Sequence, residues 1–344
     1  MSGRTKTEAN HPPNTASHEK ILHSLSLLIF SENGTESAAA LNELYRWSTG
    51  NTRTIEIPHP GIQQPPQPPQ SPPQPTPMLI MSLTNFIHYH ISPFKHGPTI
   101  KPAITALDIL SNLVRCTDRM QSLTNSILLS SIRDTVLLLH RLSFCPNSPL
   151  RKHSQDILIQ IAKFCNITNV MGDYTSEFIS SLCSIFMLLD PSEDDSNLII
   201  FMNFALLPDN CRLIIDEIGV ETMVTRISQL LSFPSTPLRD LLLECVYLFC
   251  MTIPDFKDAV CNSHFLLRSL VTLSIPPFMP YETKFVVPFT PCQKACVVLL
   301  ELCDDSRVSS YLARFKMQLA DAVLKWKSCG LPELALKLSN ISPR

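Results

Sequence analysis

Glycine is scarce in this chain, with 8 in 344 residues against the roughly 24 that average usage of about 7% would give. Phosphate-binding loops and dinucleotide-binding turns depend on backbone positions that glycine alone fills easily. A nucleotide-binding fold is therefore not expected. Charge is also sparse: 17% of residues are Asp, Glu, Lys or Arg, against roughly 25% in a typical globular domain. The formal net charge is -2, which gives no whole-molecule attraction to nucleic acid or to an anionic membrane surface. No apolar run reaches the ~18 residues that a membrane span needs. Paired cysteine spacings are missing too. The 12 cysteines are scattered, many at apolar-face positions such as Cys165, Cys183, Cys245 and Cys250, and no CxxC occurs. The densest group, Cys292, Cys296 and Cys303, fits helix faces better than a zinc knuckle. Buried thiols in a reducing compartment are the expectation. The opening residues MSGRTKTEANHPPNT are polar and do not read as a signal peptide. A soluble intracellular protein is expected.

What is present is helical pattern almost throughout. DSNLIIFMNFALL, PLRDLLLECVYLFC and PCQKACVVLLELC carry apolar residues at i, i+3, i+4 and i+7. The only strand-like run, VVPF at residues 286–289, is too short to count. Prolines such as Pro146, Pro149, Pro208, Pro234, Pro237 and Pro254 are placed between helical segments, where they stop helices.

One helix recurs six times, anchored on Leu44, Leu113, Ile161, Phe204, Leu248 and Leu302. Three positions before each anchor stand Leu41, Leu110, Leu158, Phe201, Cys245 and Leu299. Seven before stand Ser37, Ala106, Ser154, Asn197, Leu241 and Ala295, mostly small or short, which permits close helix approach. The anchors are 69, 48, 43, 44 and 54 residues apart, near the about 40–47 of armadillo and HEAT units. A short polar turn and a second apolar helix follow several of them, as in PDNCRLIIDEIGVETMVTRISQLL. The fold class expected is all-α, an armadillo/HEAT-like α-solenoid of about six degenerate repeats, in which stacking hides faces that no single unit can bury. Residues 1–16 are expected to be a disordered tail, residues 17–330 the solenoid, and residues 331–344 a short capping helix and tail. The tract QQPPQPPQSPPQPTP at residues 63–77 accounts for the 69-residue interval. It reads as a polyproline II loop inserted in a repeat. An SH3 or WW ligand is the alternative, although no Arg or Lys lies in the tract and no PPxY occurs.

In a stacked array, equivalent positions form columns. Just before the anchors stand Glu43, Asn112, Gln160, Asn203, Tyr247 and Glu301; two after them stand Arg46, Arg115, Lys163, Leu206, Cys250 and Asp304. The two columns are i, i+3 neighbours and share a face. Asp108 and Asp156 lie one turn earlier on it. Glu43, Arg46, Asn112, Arg115, Gln160, Lys163, Asn203, Tyr247 and Glu301 are thus the candidate partner-binding groove; an ordinary solvated helix face is the other reading. His88, His90 and His96 do not make a metal site, because His88 and His90 face different ways on a helix. Leu150–His153 (LRKH) could touch a phosphate at a helix start, and SEDD at residues 192–195 reads as a loop and N-cap region. No nucleophile signature of the GxSxG type occurs. Neither an enzyme activity nor a cofactor, metal or small-molecule substrate is expected.

Two segments resemble a known family. Residues 20–62, with Ala40-Leu41, Leu44 and the turn Pro60-Gly61-Ile62, are similar to the start of the armadillo-like region in ARID-containing subunits of SWI/SNF- and RSC-type chromatin remodellers. Residues 293–324, with Lys294-Ala295, Leu299-Leu300, Leu302, Arg307 and Tyr311, are similar to that region's closing repeat. No segment resembles the ARID itself, and the Pro/Gln tract is an insertion. The resemblance implies the scaffolding part of such a subunit: a non-catalytic core on which other protein subunits of a nuclear complex assemble, with no direct nucleic-acid site. Nuclear localisation comes from the resemblance alone, with a cytoplasmic armadillo-type adaptor or transport protein, binding an extended peptide in a concave groove, as the alternative.

Overall fold

A computed structural model describes residues 29–30, 34–49, 77–91, 100–115, 126–192, 195–275 and 290–328, together with 332, 335, 336 and 339. The expected tail, most of the Pro/Gln tract, the Pro60-Gly61-Ile62 turn, the VVPF run and His96 lie outside the described residues. Four helical positions from 332 to 339 fall where the capping helix is expected. The chain divides into two units, Met1–Gln160 and Ile161–Arg344.

No strand occurs among the described residues. The first unit holds α1 (Gly34–Ser48), α2 (Pro77–Ile91), α3 (Ile100–Arg115), α4 (Ser126–Leu142) and most of α5 (Ser148–Ala162). The second holds α6 (Ile167–Met171), α7 (Thr175–Leu188), α8 (Ser196–Ala205), α9 (Pro208–Ile218), α10 (Val220–Leu230), α11 (Thr236–Thr252), α12 (Pro254–Asn262), α13 (His264–Ser274), α14 (Thr290–Leu302), α15 (Ser306–Leu312) and α16 (Lys316–Ser328). Each expected anchor lies on its own helix, in order α1, α3, α5, α8, α11 and α14.

The second unit shows the repeat clearly. Three consecutive helices recur as α6–α7–α8, α9–α10–α11 and α12–α13–α14, the first of each set 5, 11 and 9 residues long and the third 10, 17 and 13. Third helices pack on third helices, α8 on α11 and α11 on α14, while α10 packs on α13. In the first unit α1 packs on α3, and α2 packs on both α3 and α4. The fold is an armadillo-like all-α repeat, as the anchor spacing led one to expect. Two details differ. Segments read as one helix, such as PDNCRLIIDEIGVETMVTRISQLL, are two. Gly219, at φ +83°, gives its N–H to Ile215 and accepts from Met223, so a single residue ends α9 and starts α10. And Pro208, Pro237 and Pro254 stand inside first turns rather than between helices, where a missing N–H costs no bond and φ is already helical.

The anchors and the residues three before them make the core. Leu44, Leu113, Ile161, Phe204 and Leu302 are buried, and so is every residue of the preceding column from Leu41 to Leu299. In α11 the face is turned by one residue. Leu248 is only half-buried, and the fully buried Phe249 packs edge-on against Phe256 of α12, ring centres 5.2 Å apart. Phe186 of α7 stacks on Phe201 of α8 at 4.3 Å, and Phe178 meets Phe204 at 5.6 Å. Such pairs add about 0.5–1.5 kcal/mol each beyond their area.

Polar staples set how one helix meets the next. Asn210 is fully buried at the start of α9. Its amide donates to the Cys165 and Phe204 carbonyls at 2.9 and 3.0 Å, and its oxygen accepts the Ile167 N–H at 2.9 Å. Arg226 of α10 caps the C-terminus of α7 through the Phe186 and Leu189 carbonyls. Trp326, fully buried in α16, donates its indole N–H to the Ser274 carbonyl at 3.0 Å. In the first unit the Thr84 and Thr135 hydroxyls meet at 2.7 Å, joining α2 to α4.

Candidate functional site

The expected groove residues fall into separate settings. In the first unit Glu43 and Arg46 form an exposed i, i+3 ion pair at 3.5 Å on α1. Asn112 of α3 reaches back to α1, its amide donating to Ser48 Oγ at 3.1 Å. Arg115 ends α3, its side chain outside the described set, and Gln160 is half-buried on α5. Across the unit boundary Lys163 is exposed. In the second unit Asn203 is buried and donates to the Ile199 carbonyl of its own helix at 2.8 Å, so its amide is not offered to a partner. Tyr247 is 39% exposed on α11. Glu301 of α14 is paired with Lys257 of α12 at 3.1 Å; that hydrogen bond raises the lysine's pKa. Beside them Lys294 bridges Asp240 at 2.7 Å and Glu244. Burial works against its charge, but the two carboxylates outweigh that and raise its pKa. The second-unit part of the column is therefore largely committed to its own helix contacts.

In the first unit a cleft opens beside the column. Asp108, Ser111 and Asn112 of α3, His153 and Asp156 of α5, and Tyr45 of α1 line an open cleft of about 250 Å³. Helical spacing explains the convergence: Asp108 and Asn112 are i, i+4, and His153 and Asp156 are i, i+3, so each helix turns both groups to one face. His153 Nδ1 lies 2.7 Å from the Pro149 carbonyl, and Nε2 lies 3.2 Å from Asp108 Oδ1. Asp156 has no hydrogen bond or ion pair among the described residues. The Asn112 amide donates to Ser48, which leaves its oxygen with no donor among the described residues. The cleft thus offers two carboxylates and an amide oxygen as acceptors beside the Ser111 and Tyr45 hydroxyls, which can donate.

Of these, Asp108, Asn112 and Asp156 were legible in the sequence as a column. Tyr45, Ser111 and His153 were not. His153 belongs to the LRKH run considered as a phosphate contact, yet the fold turns it onto a carboxylate. Arg151, in the same run, donates to the Cys145 carbonyl at 3.3 Å. Asp195, expected in an N-cap region, makes no side-chain cap on α8; its carboxylate takes the Ser235 hydroxyl instead.

The other sequence candidates disperse. His88 lies 3.3 Å from Arg141, whereas His90 packs on Phe86 at 4.3 Å, and burial lowers its pKa. The Cys292, Cys296 and Cys303 thiols turn to three different carbonyls, those of Ile275, Ser274 and Leu300. No group of three or more potential metal-binding side chains occurs among the described residues. Burial pushes the Cys165, Cys183, Cys250 and Cys296 thiols up to about 12, the opposite of what a nucleophile needs.

Comparison with solved structures places the chain among armadillo-type repeat proteins by fold. It is similar to a designed armadillo repeat protein at 13% identity with a TM-score of 0.50, over 76% of this chain and all of that one. A second designed armadillo repeat protein, solved in complex with peptide (KR)4, aligns at 15% identity and a TM-score of 0.49, over 76% of this chain and 99% of that one. No protein-family model matches the sequence, and no curated protein does either.

Proposed function

We propose that the chain is a non-catalytic, protein-binding scaffold, a subunit on which other proteins of a nuclear assembly are organised. The observation that carries this reading is the repeat itself. Within each unit third helices are stacked, α1 on α3 in the first and α8, α11 and α14 in the second, and solvent-facing polar and aromatic groups remain, Tyr45, Asn112 and Asp156 in the first unit and Tyr247 in the second, while the opposite face is apolar core. Such stacks present extended surfaces suited to protein segments. The finer assignment, to an ATP-dependent remodeller of the SWI/SNF or RSC type, rests on the resemblance carried by residues 20–62 and 293–324. Affinity capture of the tagged chain from nuclear extract, washed at moderate salt, tests it. Stoichiometric recovery of a remodelling ATPase with companion subunits is expected. Recovery of the chain alone would overturn the scaffold reading, and recovery of a different stable assembly would overturn only the remodeller assignment.

A second reading, an adaptor that binds an extended peptide, is favoured by one observation. The cleft between α1, α3 and α5 is polar, open and unmatched in its acceptors. Substoichiometric capture of several unrelated proteins through one shared linear segment would support it over the scaffold.

A further inference from the structure

We propose that the outer face of α16, together with Phe265 of α13, docks an amphipathic helix of a partner protein, one whose apolar stripe is flanked by acidic residues. The proposal rests on the protein-binding reading above and gives the scaffold a surface on its second helices, apart from the third-helix column.

The second helices of the second unit share one packing pattern. Buried residues recur at i, i+3 and i+7: Ile179, Leu182 and Phe186 of α7; Val224 and Ile227 of α10, with Leu231 just beyond it; Leu267, Leu270 and Ser274 of α13; and Leu319, Ala322 and Trp326 of α16. That register fixes which positions face solvent. Two before the first buried residue, one after it and five after it, every side chain is exposed in all four helices. In α7 these are Glu177, Ser180 and Ser184, and in α10 Thr222, Thr225 and Gln229, the polar outer face of an ordinary surface helix. In α13 they are Phe265, Arg268 and Thr272, and in α16 Met317, Ala320 and Leu324. The column turns apolar only in the last two helices. Phe265, Met317 and Leu324 are 81%, 83% and 66% exposed, and neighbouring large apolar side chains in solvent mark an interaction surface.

The two helices lie side by side. The Tyr311 hydroxyl, just ahead of α16, donates to the His264 carbonyl at 3.0 Å, and at the far end Trp326 holds Ser274. Phe265 therefore stands level with Met317. Along α16 the row Met317, Ala320, Leu324 has i, i+3, i+7 spacing, the seam on which a second helix packs. Ala320 at its centre lets that helix approach closely. Charge selects which helix it is. Lys316 and Lys327 bracket the row and Arg268 borders it on α13, all exposed and without an ion pair among the described residues. The one acid in α13 and α16, Asp321, is paired with Lys325 at 2.8 Å. Acidic flanks on the incoming helix meet those cations, whereas a second copy of α16 would set cation against cation. An anionic membrane attracts the same lysines. The row is narrow, however, with the Asp321 carboxylate beside it, and Leu319, Ala322 and Trp326 bind the rest of α16 to the core. No wide apolar face is left to enter a bilayer.

The test uses the full chain and a fluorescein-labelled peptide of about 18 residues, long enough to form a helix, with leucine at helical spacing and glutamate on its flanks. Binding is read by anisotropy at about 0.15 M salt, so that long-range attraction is screened. One control peptide carries lysine in place of glutamate; another has the same composition scrambled so that no apolar face forms. The glutamate peptide is expected to bind at least about tenfold more tightly than either control. The double variant Met317→Gln, Leu324→Gln is expected to lose about tenfold of that affinity or more. Leu188→Gln removes an equally exposed leucine from α7, at 84%, and is expected to change nothing. All three substitutions are at exposed positions, so unchanged urea midpoints are expected and confirm folding. Equal binding of the three peptides, binding of none, or full binding by the double variant overturns the proposal. Two further results also overturn it. Cosedimentation with vesicles containing about one-third phosphatidylserine, lost in the double variant, would assign the face to a membrane. A dimer in sedimentation velocity, lost in the same variant, would assign it to a second copy. None of these outcomes decides the scaffold reading, which falls only if the tagged chain is captured alone.

Discussion

Removing the Asn210 side chain should cost the second unit more than its size suggests. Asn210 is fully buried and makes three hydrogen bonds to backbone groups, with the Ile167 N–H and the carbonyls of Cys165 and Phe204. It ties the start of α6 to the start of α9, the first helices of successive repeats, and both to the end of α8. Phe204 keeps a second donor, the Leu207 N–H at 3.3 Å. The Ile167 N–H and the Cys165 carbonyl are the groups that lose most. A buried group left unsatisfied costs about 1–3 kcal/mol, so two of them set a range of about 2–6 kcal/mol. What fills the space decides the position within it. Asn210→Ala leaves room for one water with three polar partners, which is enough to hold it, and should cost about 2–3 kcal/mol. Asn210→Leu fills the space with carbon and excludes that water, and should cost about 4–6 kcal/mol. Asn210→Asp keeps the acceptor for Ile167 but turns an anionic oxygen on two carbonyls. The folded-state pKa is then raised above the ordinary Asp value, and the deficit is full above that pKa and relieved as pH falls through it. Urea titration of each variant, with hydrogen exchange read at the Ile167 amide, checks the order. Alanine and leucine variants within about 0.5 kcal/mol of wild type, with the Ile167 amide still protected, would refute the reasoning.

Arg226→Ala should destabilise the second unit by about 1–3 kcal/mol, because the guanidinium closes two carbonyls at the end of α7; Arg226→Lys should recover less than half of the loss, lacking the fork, as urea midpoints would show. His140, whose pKa burial lowers to about 4, enters the folded state neutral. The unfolded chain takes up that proton first, near the ordinary imidazole value of about 6.5, so stability should fall by about 2–3 kcal/mol as pH drops from about 6.5 to about 4. His140→Phe should flatten that part of the stability–pH curve. Cys165, Cys183, Cys250 and Cys296, with thiols pushed up to about 12, should resist iodoacetamide in the native chain near pH 8 and react fully in urea, as mass spectrometry of alkylated peptides would record.

The core of the third helices was readable because its signal is strong. A small residue, then apolar residues four and seven positions on, describes a face that packs on two neighbours, and the column from Leu41 to Leu299 is buried throughout. The reading slipped where that signal saturates. LLLECVYLFC is apolar on every side, so periodicity could not choose between Leu248 and Phe249, and packing against Phe256 chose. The short first helices were not resolved as separate elements for another reason. Those of the second unit span 5 to 11 residues and run almost directly into the next helix, so the pattern merged the two, and Gly219 separates α9 from α10 alone. Asn203 was read as exposed from its polarity, yet a buried amide is tolerated when its own helix supplies the acceptor. In the cleft, Asp108, Asn112 and Asp156 fell on one column because they share a helix phase. Tyr45 and His153 lie off that column, and only the stacking of α1, α3 and α5 brings them in.

The most direct test of the account is affinity capture with the cleft altered. Wild-type chain and the Asp108→Asn, Asp156→Asn double variant, matched for melting temperature, would be tagged, expressed and recovered with quantitative mass spectrometry. The account requires stoichiometric protein partners on the wild-type chain and the loss of at least one of them from the variant. The same partners at the same stoichiometry on both would contradict binding through the third-helix face, and a wild-type chain recovered alone would contradict the scaffold itself.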